Sequence, residues 1–180
     1  MFTLPPLPYD FDALEPAIAR WAVQRHYEDN HAGYYNKVNQ LLADSPHDFS
    51  SIYEVARFSP IDTPLSNAAR QAWIHDFWWR SMSPTPTKPP AWYESSKFED
   101  RWVDIGTKLF GSGWLWLTLG STGKFEIHAL PNAVIPFRPV LVMDLWEHAY
   151  YCQYGTQRAD FLRQTLKHLN WAEAERRVRT

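Results

Sequence analysis

Asp144-Leu145-Trp146-Glu147-His148-Ala149-Tyr150-Tyr151 sets a carboxylate and an imidazole four residues apart and follows them with two phenols. At that spacing Asp144 and His148 can reach one metal ion. An isolated Asp-x-x-x-His recurs by chance in a chain this long, so the stretch becomes a site only where further ligands converge on it.

Working outward, the apolar run Val140 to Met143 immediately before it reads as a strand. Upstream, Trp114 to Leu119 reads as a strand, Gly120 to Gly123 as a turn and Lys124 to Ala129 as the antiparallel partner. Before these strands Phe98, Trp102, Ile105 and Leu109 keep helical spacing up to Gly111-Ser112-Gly113, and helices from Arg158 onward close the chain. The run Ser83-Pro84-Thr85-Pro86-Thr87-Lys88-Pro89-Pro90 removes backbone donors and fixes φ, which makes it the best boundary. The first half reads as two helices. One spans roughly Pro16 to Ala43, with Pro16 in its first turn and Ser45-Pro46 ending it; the other runs from about Ser66 to Ser81. The expected class is α+β: a helical hairpin domain over 1–83, then a domain over 84–180 with a three-stranded antiparallel sheet flanked by helices.

The 180 residues, 45% hydrophobic with ten tryptophans, supply ample core for one larger domain or two small ones. A net charge of -2 argues against a general polyanion binder, and Arg176-Arg177-Val178-Arg179 reads as a solvated last helical turn; nucleic acid is not an expected partner. Cys152 is the sole cysteine, which excludes an intrachain disulfide and a thiolate cluster; beside an aromatic pair it reads as a buried, inert thiol. The start, Met1 to Pro8, lacks a basic opening and an uninterrupted apolar stretch, and the apolar runs are too short for a bilayer. A soluble protein of the cytoplasm or an organelle matrix, with no membrane partner, is expected.

His26, His31 and Tyr34 lie along the first helix, and His75 lies on the second with Gln71 one turn earlier on the same face. Each histidine alone is an ordinary polar or core residue. Together, one imidazole from each helix plus Asp144 and His148 make a three-histidine, one-carboxylate set, which suits a redox metal such as iron or manganese and leaves a position for solvent.

Four segments carry a resemblance over nearly the whole chain: Leu4-Pro5-Pro6-Leu7-Pro8-Tyr9 with Ala13-Leu14-Glu15-Pro16; His26 through Tyr34; Asn67-Ala68-Ala69 with Gln71 and His75; and Phe110-Gly111-Ser112-Gly113-Trp114 with Asp144 through Tyr151. The chain resembles the iron/manganese superoxide dismutases. The resemblance implies that His26, His75, Asp144 and His148 ligate one iron or manganese ion lying between the two domains, with solvent as fifth ligand. It implies that Tyr34 is the gateway of the substrate channel, His31 its neighbour, and Trp79, Trp114 and Trp146 the aromatic walls; read without the family, those tryptophans are plain core. Gln71 paired with Ala133 is the iron-type arrangement of the amide that bonds solvent. The implied reaction turns superoxide into dioxygen and hydrogen peroxide, with protons passing through Tyr34 and Gln71 and no organic cofactor.

The chain also departs from the family's usual residues. Asn30 stands where a histidine is common, Asp29 where a lysine helps to attract superoxide, and Trp78 where a tyrosine is usual; Ile74, Gly155 and Thr156 differ near the dimer contact or closing loop. Arg158 remains as the basic residue expected on the anion's path. Glu147, Tyr151 and the Asn30 region imply a homodimer. Two other readings stay open on residues alone: a superoxide-dismutase-like structural subunit of a larger assembly, and a mononuclear iron enzyme acting on an organic substrate.

Overall fold

The computed structural model describes residues 1–43, 48–90, 93 and 95–179. Its first half is a bundle built round one helix, α4 (Pro64–Ser81). Thr63 caps it by accepting from Ser66 N at 3.1 Å, and Pro64 occupies the first turn, where its missing N–H costs nothing. Small residues Ala68, Ala69 and Ala72 let the hairpin approach closely, and Ile74, Phe77, Trp78 and Trp79 fill the larger core behind. α4 is thus buried nearly all round and packs against helices on one flank and the sheet on the other.

The partner in the hairpin is a helical run of α1 (Arg20–Arg25), a π segment (His26–His31) and α2 (Ala32–Leu42). It begins four residues later than Pro16: the Glu15-Pro16 bond is cis and residues 11–17 form turns. The ending expected at Ser45-Pro46 lies outside the described residues. A further helix, α3 (Ile52–Phe58), capped by Ser51, packs on α4; its seven residues are too short for a clear sequence period. The N-terminal arm is stitched to α2 by reciprocal bonds between Phe2 and the Asn39 amide at 2.7 and 2.8 Å.

The second half holds α5 (Ser95–Lys108), β1 (Gly113–Leu119), β2 (Phe125–Pro131), β3 (Pro139–Asp144), α6 (Glu147–Tyr154), α7 (Arg158–Thr165) and α8 (Trp171–Arg179). The sheet is antiparallel, in the order β2-β1-β3, with Trp114 opposite Asp144. β1 is buried at every position, as expected of a central strand covered on both faces. Gly113 permits this packing: a Cβ there would stand 2.2 Å from Leu130 O.

Two expectations fail. Cys152 is exposed, because it falls on the outer face of α6, which begins eleven residues before the helices expected from Arg158. Arg177 is not solvated: its side chain is 7% exposed and its guanidinium donates to Ser81 Oγ (2.9 Å), Val140 O (2.8 Å) and Phe77 O (3.2 Å) while pairing with Glu173 (2.9 Å). It also lies 3.4 Å from the centre of the Phe77 ring. Burial pushes its pKa down to about 9 against the pull of Glu173. Arg177 therefore ties α8 to α4 and β3 across the seam, beside the Ser83 N to His168 O bond (2.6 Å) and the Asn170 N to Ser81 O bond (2.8 Å). Among the described residues no helix is long and apolar enough to cross a membrane.

Candidate metal centre

His26 opens the π segment and His31 closes it. In an α-helix, residues five apart point about 140° away from each other. Here Ala32 N bonds Tyr27 O, the wider i→i+5 turn, and both imidazoles are buried. His75 comes from the middle of α4, Asp144 from the last position of β3 and His148 from the first turn of α6.

These elements bring four ligand atoms to one point. His26 Nε2 lies 3.0 Å from His75 Nε2 and 3.2 Å from Asp144 Oδ2. The same oxygen is 3.8 Å from His75 Nε2 and 3.6 Å from His148 Nε2. All four atoms lie within 4.8 Å of one another. Donors held about 2.0–2.2 Å from a common ion stand roughly 3–4 Å apart, so the residues fit one metal ion.

Their other atoms are already committed. His75 Nδ1 donates to Gln71 O at 2.7 Å, which leaves a bare lone pair on Nε2 of the neutral ring. Asp144 Oδ1 accepts from Trp146 N at 2.7 Å, while Oδ2 is buried and accepts no hydrogen bond of good geometry although three imidazoles face it. A carboxylate oxygen left this way in a dry site would cost a few kcal/mol, and a cation removes that cost.

Titration follows the same geometry. Burial lowers the pKa of His26 and lowers that of His75 further, so both rings stay neutral and able to ligate. For Asp144 burial pulls upward, but the imidazoles of His148 and His26 outweigh it and hold the carboxyl well below its usual range. Burial would lower His148 as well, yet the hydrogen bond and charge of Asp144 raise it.

The aromatic wall is continuous. Trp78, Trp79 and Trp114 place ring centres 4.7 and 5.2 Å from His26 and 4.9 Å from His75, and Trp146 lies 6.0 Å from His148. Tyr34 stands 5.4 Å from His75, with its phenol pKa raised by burial. A cavity of about 560 Å³ meets this shell, lined by Tyr34, Lys37, Arg70, Gln71, Ala133 and Trp146 among others. Gln71 and Ala133 thus share one cavity, and Gln71 Oε1 is buried with no hydrogen-bond partner among the described residues. A larger cavity, about 870 Å³ between the proline-rich segment, α5 and α7, touches none of the ligands.

The chain belongs to the iron/manganese superoxide dismutases. Residues 1–83 match the family's alpha-hairpin domain and residues 90–177 its C-terminal domain. An iron superoxide dismutase of Coxiella burnetii is 34% identical over 184 residues, 94% of each chain. One from Synechocystis sp. is 35% identical over 188 residues, again 94% of each, and one from Entamoeba histolytica is 34% identical over 190 residues, covering 98% of this chain and 99% of its own.

Four further residues singled out in the sequence have the following settings. His31 is fully buried. It accepts from Trp79 Nε1 at 3.2 Å on Nδ1, bonds Ala72 O at 3.1 Å through Nε2, and stacks on His75 at 5.4 Å. Arg158 does not line the cavity within this chain: it donates to Leu109 O (2.8 Å), Gly111 O (3.0 Å) and Tyr150 Oη (3.1 Å). Trp146 is only half-buried, and Asp29 is exposed away from the cavity. Residue-type reasoning passed over Asp76 and Tyr35. The Tyr35 phenol donates to Asp76 Oδ2 at 2.5 Å, and Asp76 Oδ1 stands 3.3 Å from His31 Nε2, behind the ligands. A charged residue directly after His75 in an otherwise apolar helical run was the available signal.

Proposed function

We propose that this chain is an iron superoxide dismutase in which His26, His75, Asp144 and His148 hold one iron ion. The convergence of three imidazole nitrogens on the unpaired Asp144 Oδ2 carries the reading. When bound, the ion supplies one-electron chemistry, accepting an electron from one superoxide and returning it to a second.

The rest is the work of side chains. Overall, two superoxide anions and two protons give dioxygen and hydrogen peroxide. Tyr34, its pKa raised by burial, keeps its proton through the neutral range and presents it at the phenol oxygen on the cavity wall. The Gln71 amide, whose Oε1 has no hydrogen-bond partner among the described residues and which lies next to the ligands, orients whatever small oxygen species enters. Trp78, Trp79, Trp114 and Trp146 exclude bulk water and lower the local dielectric, which strengthens each of these polar contacts.

The functional unit is a homodimer. His148, a metal ligand, has a side chain 33% exposed in the single chain, beside exposed Glu147 and a Tyr151 that is 54% exposed; a second copy laid on this face shelters the fourth ligand. The domain division falls at 83/84, just past the end of α4 at Ser81, where the proline-rich segment begins. The exposed, unpaired Cys152 suits the reducing cytoplasm.

Iron content and superoxide dismutation, measured on protein loaded separately with iron and with manganese, test the reading. One iron per chain with high activity supports it. One iron per chain without activity overturns it in favour of a structural subunit.

A further inference from the structure

The substrate is an anion, and neither of the two positions expected to draw it in lines the cavity of the single chain. Position 29 is an aspartate, exposed and away from the cavity, and Arg158 spends its guanidinium on Leu109 O, Gly111 O and Tyr150 Oη with Glu147 at 3.8 Å. The charged residues that do line the cavity are Lys37, Asp62 and Arg70. Lys37 is exposed, with Nζ 3.5 Å from Gln40 Oε1, so solvent screens it.

Arg70 differs from both. It sits on α4 immediately before Gln71 and is half-buried, and its Nε donates to Ala56 O at 3.3 Å. That bond fixes the guanidinium plane and leaves the terminal Nη groups for another acceptor. Among the described residues no carboxylate lies within ion-pair distance of it, although Asp62 lines the same cavity. Arg70 also lines a neighbouring groove of about 780 Å³ with Arg57 and Arg138, in which no acidic side chain appears. Its charge is therefore held in place and partly desolvated.

We infer that Arg70 is the cation that captures small anions at the mouth of the cavity and delivers superoxide toward Tyr34 and Gln71. It is a positioning residue, taking the part that position 29 cannot play here. The inference rests on the proposed function for the identity of the anion, but the capture of a small anion does not.

The test uses the iron-loaded full chain, with azide binding followed by its visible absorption and dismutation followed separately. Arg70→Ala should weaken azide binding and lower kcat/KM for superoxide by roughly tenfold at low ionic strength, and should flatten the salt dependence of both, since steering by one fixed charge is of this order. Arg70→Lys should restore most of the loss. Arg101→Ala, an exposed arginine remote from the cavity, should change neither. Arg70→Gln, which keeps a donor for Ala56 O, separates lost charge from lost packing if the alanine variant folds poorly. Equal azide affinity and kcat/KM in wild type, Arg70→Ala and Arg70→Gln overturn the inference. A wild type that binds azide through Arg70 but does not dismutate superoxide leaves the anion site standing and removes the proposed function instead.

Discussion

The two halves of the molecule treat their metal ligands differently. His26 and His75 project from long, packed helices and are buried, with His75 Nδ1 locked onto Gln71 O. His148 projects from the first turn of an eight-residue helix and is one-third exposed, with its inner edge against buried Asp144 and His26 and its outer edge open. Asp144, at the end of a central strand, is fully buried and links the two. One chain thus builds three ligands to the standard of a protein interior and leaves the fourth at the standard of an interface.

The contrast breaks first at the metal. His75→Ala removes a ligand that nothing else can replace in a rigid site, and iron affinity should fall by far more than 100-fold, beyond even the usual loss for a supporting residue. His148→Ala should cost at least severalfold less, because solvent reaches that position. Metal content by inductively coupled plasma mass spectrometry against a graded chelator measures both, and equal losses would show that burial does not grade the ligands.

The next effect tests the seam on which both halves depend. Arg177→Ala strips donors from Ser81 Oγ, Val140 O and Phe77 O and leaves Glu173 with one cation fewer, so unfolding in urea should show a loss of about 3 kcal/mol. Arg176→Ala, on the exposed side of the same turn, should cost under about 1 kcal/mol. If the two variants are equal, the seam is not held by the buried guanidinium.

Acid should then separate the ligands by sign. Burial lowers the pKa values of His26, His75 and His168, so the unfolded chain takes up protons near pH 6.5 while the folded apoprotein does not, and stability falls as pH drops below that value. His148 is raised, so its contribution is complete below pH 6.5 and is lost as pH rises through its folded pKa. Asp144 is depressed, and its contribution disappears only as pH falls below the ordinary carboxylate range. Three lowered histidines outweigh one raised: the metal-free protein should lose roughly 1 kcal/mol or more per pH unit between 6.5 and 5, read from urea midpoints. His168→Gln should flatten that slope, and an unchanged slope would remove the seam histidine from the account.

The smallest effect concerns the open face. Glu147→Ala removes an acceptor of Ser112 Oγ (2.7 Å) and the acid beside His148; together with Tyr151→Ala it should weaken dimerisation by about 1–2 kcal/mol, seen as a concentration-dependent shift toward monomer in sedimentation. A wild type that is monomeric at micromolar concentration would sink the dimer itself.

Much of this was legible from residue pattern. The apolar runs Trp114 to Leu119 and Val140 to Met143 became β1 and β3, and the Gly120 to Gly123 turn formed with Gly123 at φ 77°. The His26, His75, Asp144 and His148 set was readable because ligand chemistry restricts the residue types involved, and the family motifs narrowed it to these four. Arg177 was misread because three arginines at the end of a helix look alike in sequence; only the position of Ser81 and the Val140 carbonyl tells which of them turns inward. Asp76 and Tyr35 were passed over for the same reason: a buried hydrogen bond between residues 41 apart leaves no local period.

The sequence by itself determined the strands, the main helices and the four residues that could hold a metal ion, since these rest on apolar patterning and on which groups can donate a lone pair. Tertiary structure decided three things. The π turn brings both His26 and His31 into the interior, because backbone hydrogen-bond register is not written in residue type. The one-third exposure of the His148 side chain follows from where α6 meets solvent. The setting of the Arg70 guanidinium, with no carboxylate in ion-pair reach among the described residues, depends on which groups packing brought near it, a property of distances through space rather than along the chain.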